Sequence, residues 1–452
     1  MEKSKPSKKN ILSPTKPAEH IYRAFQEFDR LEASGGLVLF GAALLALAWA
    51  NSPWAETYFS IWHAPITVGF TDRVMSHDLH WWINEALMVI FFFVVGLEIK
   101  REVLVGELSS LRQAFLPIAA ALGGMLAPAV IYVLINLNSS GMPGWGIPMA
   151  TDIAFTLGVI SLLGSRVPLS LKVFLTALAI VDDIGAVLVI AIFYSGQIQW
   201  IPLGIAFLVL IALVGCNLAG SRSPLTYGLL GAMLWLAFLE SGVHATLAGV
   251  ILAMTIPSSG TIHAQDYLKV AKSFLHDFEH AGNPGKKLLN GEQQEALSAL
   301  EWATEKVEAP LQRFEHGLHP WVTYLIIPLF AFANAGVAFP ANLSFLWTDR
   351  ITLGVLAGLL LGKQVGIMAA TWLVVKTRLA DLPNAVNWKQ IYGIGWLAGV
   401  GFTMSLFISS LAFADQSQQE AAKLGSLCAS FVATLVGYFL LRRSTRRSLS
   451  PG

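Results

Sequence analysis

Four ionisable residues stand where the surrounding sequence is apolar: Asp152, Asp182, Asp183 and Lys363. If those runs cross a membrane, each such residue at a helix centre costs roughly 2.5–3.5 kcal/mol unless it is paired or wet. Residues kept at that cost pair with one another, line a water-filled cavity, or carry ions and protons. Asp182 and Asp183 are neighbours, so on a helix they point about 100° apart. One can line a pathway while the other turns to a partner helix. Close, poorly solvated carboxylates and a buried lysine exchange protons nearer neutral pH than free ones do. Hard cations prefer oxygen ligands, so sodium or lithium would compete with protons for Asp182 and Asp183. Thr151 and Asp152 offer further oxygens. A purely structural ion pair between Lys363 and one aspartate leaves two carboxylates unexplained. No activated Ser or Cys sits beside a base, so the set is unsuited to nucleophilic catalysis and the chain is not read as an enzyme.

Those residues need a scaffold, and the composition says which kind. Of 452 residues, 13% are charged and 55% hydrophobic, against about 25% charged in a soluble chain. This excludes a soluble globule, a disordered chain and a disulfide scaffold, and predicts an all-α polytopic membrane protein. Cys216 and Cys428 lie in apolar runs and imply no disulfide framework. Twelve candidate spans follow: about 35–51, 81–99, 114–135, 147–163, 171–194, 201–219, 225–239, 241–257, 320–338, 352–374, 390–411 and 421–441. With the N-terminus taken as cytoplasmic, 26 of the 30 Lys and Arg fall inside, three fall outside, and Lys363 lies within a span. That bias sets both termini in the cytoplasm. Residues 1–34 then form a cytoplasmic tail, 35–257 spans one to eight, 258–319 a cytoplasmic insert, 320–441 spans nine to twelve, and 442–452 a second tail. The tail before the first span has no apolar signal-peptide core.

Depth brings the charges together. At 1.5 Å per residue, Asp183 lies about 18 Å from one end of its span and Lys363 about 17 Å from the opposite end of its own. The fourth span follows a Gly/Pro-rich stretch from Gly141 to Pro148 and leaves only 16 residues to Leu163. Part of that crossing should be extended. The eleventh span carries Gly393, Gly395, Gly399 and Gly401 before Phe402-Thr403-Met404-Ser405. Paired interrupted segments in two halves are the sequence sign of a secondary transporter with inverted repeats, here spans 3–5 and 10–12, with spans 4 and 11 unwound. Glycines in membrane helices also serve close packing. Residues 65–70 alternate ahead of a polar turn and read as an external β-hairpin, a dimer contact, or as an ordinary loop. The insert has helical spacing over 264–280 and 291–309, split by Asn283-Pro284-Gly285. Its role is open between regulatory and passive.

Five motifs in order resemble the NhaA-type sodium/proton antiporters: Gly96-Leu97-Glu98-Ile99-Lys100-Arg101-Glu102, Ala150-Thr151-Asp152-Ile153-Ala154-Phe155, Ala179-Ile180-Val181-Asp182-Asp183-Ile184-Gly185, Ser241 through Gly249, and Phe330 through Gly336. The resemblance covers nearly all of residues 30–442. It implies a twelve-helix bacterial inner-membrane protein that exports sodium or lithium and takes up protons, electrogenically, for sodium and pH homeostasis. It implies a homodimer in the lipid bilayer, no resident cofactor and no nucleic-acid partner. Carried over, Asp183 is the main cation and proton carboxylate and Asp182 its partner, paired with Lys363 in the inward-facing form; together the two aspartates would hold the transported sodium. Asp152 and Lys363 balance the half-helix dipoles at the crossing, supported by Thr151. The family's pH response maps onto Glu98, Arg101, Glu102, Glu315, His316 and His319, with His244 further along. Read from the residues alone, that cluster is equally a charged helix end, and His244 a packed helix residue. The long insert departs from the family and runs directly into Glu315-His316, and Glu85 stands where many members have Asp.

A sodium-coupled symporter of an organic anion is the competing reading, because broken helices serve that too. It requires basic or polar groups around a large cavity. A cation channel is disfavoured by a lysine in the path.

Overall fold

In the computed structural model, residues 17–70, 73–281, 288–339 and 345–445 are described. Among the described residues the chain is helical apart from one hairpin. Helix α1 (Pro17–Ala50) is followed by the short α2 (Ala55–Trp62), the strands β1 (Pro65–Phe70) and β2 (Arg73–Asp78), then α3 (Leu79–Val105) and α4 (Leu111–Asn136). A tight 3₁₀ turn (Met142–Met149) leads to α5 (Ile153–Ser161), α6 (Leu169–Phe193), α7 (Trp200–Leu218), α8 (Pro224–Ser241) and α9 (Leu247–Thr255). The insert contributes α10 (Ala264–His280) and α11 (Gly291–Val307). Then come α12 (residues 310–334), α13 (Arg350–Lys376), α14 (Trp388–Ala398), α15 (Phe402–Ala412) and α16 (Gln416–Thr445).

Among the described residues, six helices are long and apolar enough to cross a membrane: α3, α4, α6, α7, α13 and α16. Two bent pairs, α1 with α2 and α14 with α15, raise the number to eight if each is one span. The expected spans at 147–163, 225–239, 241–257 and 320–338 fall on α5, α8, α9 and α12, which do not pass that length and composition test. Helix α1 begins at Pro17, so half of the segment read as a polar tail is helical and continuous with the first apolar run. Residues 1–16, 446–452 and the Asn283-Pro284-Gly285 breaker lie outside the described residues.

Local chemistry sets the ends. Asn387 and Asn290 each form a capping box with a glutamine three residues on, at the starts of α14 and α11. Asp349 caps α13. Gly242, at φ +80°, ends α8 in the left-handed conformation that other residues resist. The hairpin pairs Pro65 with Asp78 through Phe70 with Arg73, and Thr67 bonds Ser76 across it. It marks one end of the bundle, which we call the hairpin end; the insert marks the other.

Among the described residues, three π turns interrupt the long helices: Ile83–Leu87 in α3, Val322–Ile326 in α12 and Gly358–Gly362 in α13. In α12 the wide turn ends two residues before Pro328, which has no N–H to return to residue 324. In α13 it passes Pro128 of α4 and Pro148 at close range, and a Cβ on Gly362 would meet Pro128 Cα at 2.5 Å. One extra residue in the turn rotates everything after it by about 100°, and the next residue is Lys363.

Helices α4 and α13 touch backbone to backbone. A Cβ on Gly366 would stand 2.0 Å from the Gly123 carbonyl oxygen, with no flexible side chain to yield. Gly366→Ala is therefore expected to cost at least about 1–3 kcal/mol and to shift Lys363 with its helix. A lowered melting temperature in detergent checks this; an unchanged one would mean that the helices separate without penalty.

Candidate ion site at a crossing of broken helices

Two chain breaks cross in the centre of the bundle. The 3₁₀ turn comes from the hairpin end, residues 150–152 are extended, and α5 runs toward the insert end. Helix α14 comes from the insert end, breaks at residues 399–401, and α15 continues toward the hairpin end. The breaks are joined by a bond from Asp152 N–H to the Val400 carbonyl, 2.8 Å. Every helix end leaves backbone groups without helical partners, and here they are buried, so side chains must supply them.

Asp152 meets much of that demand. Its Oδ1 accepts from Phe155 N–H (2.9 Å), which caps α5. Its Oδ2 accepts from Thr403 N–H (3.0 Å) and from the Thr403 hydroxyl, which caps α15. One carboxylate thus faces the positive ends of two helices, a placement that offsets its own charge. Ser405 donates to the Ile147 carbonyl (2.9 Å), tying α15 to the 3₁₀ turn.

The carbonyl ends are met by a second group. The Thr151 hydroxyl lies 2.9 Å from the Ala398 carbonyl and 2.6 Å from Asp182 Oδ2. Lys363 Nζ donates to Thr151 (3.0 Å) and to Asp182 Oδ2 (2.5 Å). The hydroxyl has one hydrogen, so it accepts from Lys363 and donates either to Asp182 or to the carbonyl. The Lys363–Asp182 pair is 0% exposed on both sides, and a pair so deep persists only with good geometry and further hydrogen bonds. Thr151 supplies one.

Asp183 has no such compensation. It is 2% exposed, its Oδ1 has no hydrogen-bond partner, and no ion pair holds it among the described residues. It lines a cavity of about 50 Å³ with Glu98, Thr151, Asp152, His319 and Thr403. An isolated carboxylate there needs a positive partner, which a proton or a small metal cation can provide. Among the described residues no three His, Cys, Asp or Glu side chains converge as a metal centre; the oxygens around Asp183 are a mixture of carboxylates and hydroxyls.

The remaining predicted residues fall in four places. Glu98 of α3 and His319 of α12 line the same cavity, toward the insert end. Arg101 pairs with Glu315 and with Glu102 (3.3 Å), joining α3 to α12 beside that opening; Glu315 is buried and its Oε2 has no hydrogen-bond partner. His316 points outward, 3.5 Å from Glu308 at the end of α11. His244 is elsewhere. Its Nε2 bonds the Tyr194 carbonyl at 2.5 Å, eleven residues along from Asp183, or about 16 Å. Thr403 escaped the sequence reading. Its motif was noted for its glycines, but nothing in the spacing of residues links Thr403 to an aspartate 251 positions earlier.

Comparison with known proteins gives the frame for this geometry. Residues 26–441 match the family model described as Na+/H+ antiporter 1. The chain is 51% identical over 427 residues to the Na(+)/H(+) antiporter NhaA of Oleidesulfovibrio alaskensis, covering 94% of this chain and 95% of that one. It is 48% identical over 436 residues to the Na(+)/H(+) antiporter NhaA of Koribacter versatilis, covering 96% and 95%. It is 47% identical over 428 residues to the Na(+)/H(+) antiporter NhaA 2 of Syntrophotalea carbinolica, covering 94% and 98%. A match over nearly the whole length, on apolar helices that meet at paired aspartates, means that the chain belongs to the Na+/H+ antiporter 1 family of membrane transporters.

Proposed function

We propose that this protein exchanges sodium or lithium for protons electrogenically, by alternating access, with Asp183 as the carboxylate that holds either the cation or the proton. The observation that carries the reading is the contrast among three buried aspartates. Asp152 is offset by two helix ends and Asp182 by Lys363, while Asp183 alone stands on the cavity without a partner. Electrogenic exchange requires unequal numbers of protons and sodium ions; for more than one proton per sodium, the Asp182–Lys363 pair is the second carrier at hand. Asp182 joins Asp183 in the cation site when Lys363 moves off it. Asp152, Thr151 and Lys363 hold the crossing and balance its dipoles. Glu98, Arg101, Glu102, Glu315, His316 and His319 set the pH response at the opening, and His244 acts from further along.

The rest of the architecture follows the same reading. The chain makes twelve spans, of which the fourth and eleventh are unwound and three to five repeat ten to twelve inverted. It sits in a bacterial inner membrane with both termini and the insert in the cytoplasm, and the hairpin joins two copies as a homodimer. The size of the cavity favours cation exchange over uptake of an organic anion: sites for organic ligands are about 300 Å³ or larger, and this one is about 50 Å³.

The test is dissipation of a respiration-generated pH gradient in everted membrane vesicles. Sodium and lithium should collapse the gradient, more strongly as pH rises, and potassium should not. If no cation acts at any pH, the exchange reading fails, and sodium-coupled uptake of an organic anion is the next activity to assay.

A further inference from the structure

The ion cavity has a counterpart at the hairpin end. Phe91 of α3, Ile327 of α12 and Met404 of α15 line the ion cavity. His80 of α3, Ala333 of α12 and Ala414, just past α15, line a second cavity of about 240 Å³, with Tyr58, Trp62 and Lys423. The two cavities therefore lie along the same three helices. On α3 they are eleven residues, or about 16 Å, apart. Phe330 of α12 and Phe407 of α15 lie between the two cavities along their helices, and Phe92 of α3 is next to Phe91 at the ion cavity. Phe92 and Phe330 both lie against Phe407, with ring centroids 5.4 and 6.2 Å apart, and all three are buried.

Above this aromatic seam, α3 and α12 are cross-linked by polar groups. His80 Nε2 lies 3.0 Å from Asn334 Oδ1, which can only accept, so Nε2 carries the hydrogen. Asn334 Nδ2 donates to Asn84 Oδ1 (2.8 Å) and to the Phe330 carbonyl (3.0 Å). Asn84 Nδ2 is 3.3 Å from both ring nitrogens of His80, so the amide hydrogens stand against the ring. Asn84 and Asn334 are buried. Packing alone does not call for this: apolar groups of the same shape would hold the helices nearly as well. Hydrogen bonds at the mouth of an apolar seam suit a contact that is made and broken, because each polar group regains water when the helices part.

We propose that His80, Asn84 and Asn334 form a latch on the hairpin-side route, which must open for Asp183 to face that side. They are positioning residues: none of them lines the ion cavity. The inference rests on the alternating-access reading above, and its test does not use transport as the readout. In a background with Cys216→Ala and Cys428→Ala, Met404→Cys places a thiol in the ion cavity. A membrane-impermeant cationic methanethiosulfonate is added outside intact cells, the side assigned to the hairpin, and the labelling rate is followed. His80→Ala should raise that rate about three- to tenfold, the shift expected when a buried hydrogen bond that favours the closed state is lost. His80→Gln, which can still donate to Asn334, should return it to within about twofold of the parent. Asn84→Ala reads the same contact if His80→Ala fails to insert. The latch is overturned if His80→Ala and Asn84→Ala label at the parent rate, or if His80→Gln is as fast as His80→Ala. Failure of the exchange reading would appear separately, as vesicles in which sodium leaves the pH gradient intact.

Discussion

Asp183→Asn should leave a folded, inserted protein whose sodium-driven proton movement falls below about 1% of the parent. The amide has nearly the shape of the carboxylate but offers neither its negative charge nor a site for a proton. Any cation would then enter a cavity in which Asp152 and Asp182 are already committed, the first to two helix N-termini and the second to Lys363. The same change should make the protein more stable. An unpaired buried charge is a standing cost, so its removal should raise stability by about 1–3 kcal/mol, within the range known for functional sites that are neutralised. Vesicle dissipation and thermal unfolding in detergent, run on the same preparation, check both halves. Parent-like exchange in Asp183→Asn would remove Asp183 from its assigned role.

Lys363→Ala should act in the opposite direction on stability. It strands Asp182 without a cation, deprives the Thr151 hydroxyl of its donor, and opens a void beside the crossing. Breaking a buried ion pair from one side typically costs about 3–5 kcal/mol. The double variant Asp182→Asn with Lys363→Ala should recover part of that loss, because no charge is then left unpaired; this is the coupling that a double-mutant cycle measures. If Lys363 takes part in moving the second proton, the single variant should also carry less current per sodium on a solid-supported membrane. Unchanged melting together with unchanged current would sink both proposals for Lys363.

The residues of the candidate site were legible in the sequence because charges in apolar runs are rare. Asp152, Asp182, Asp183 and Lys363 could be picked out, Asp183 and Lys363 could be placed at similar depth, and the structure brings the four to one crossing. Which aspartate meets the lysine followed from the family resemblance, not from composition or spacing, since the contact spans 181 positions. The breaks at residues 150–152 and 399–401 were signalled by proline and glycine. Their joining by one carboxylate was not, because a cap between distant helices leaves no local pattern. The π turn before Lys363 was likewise invisible: it answers to Pro128 and Pro148, which lie far off in sequence. The hairpin was visible as one of two readings through its alternation, and the insert helices through their period. The start of α1 was missed because a polar but helix-favouring stretch was read as tail.

The double cap made by Asp152 also bears on how the protein comes to exist. Asp152, Asp182 and Asp183 enter the membrane with the first half of the chain. Lys363 is synthesised 181 residues after Asp182, and Thr403 follows Asp152 by 251. At a translation rate of about 5–20 residues per second, that leaves roughly 10–50 s in which Asp182 lacks its countercharge and Asp152 its second helix end. During that interval the carboxylates must be kept hydrated or shielded by the insertion machinery. A chain that stops before α15 carries a half-built crossing that nothing later can complete, which makes it a natural target for quality-control proteolysis. The crossing of the two breaks is therefore among the last parts of the molecule to be completed.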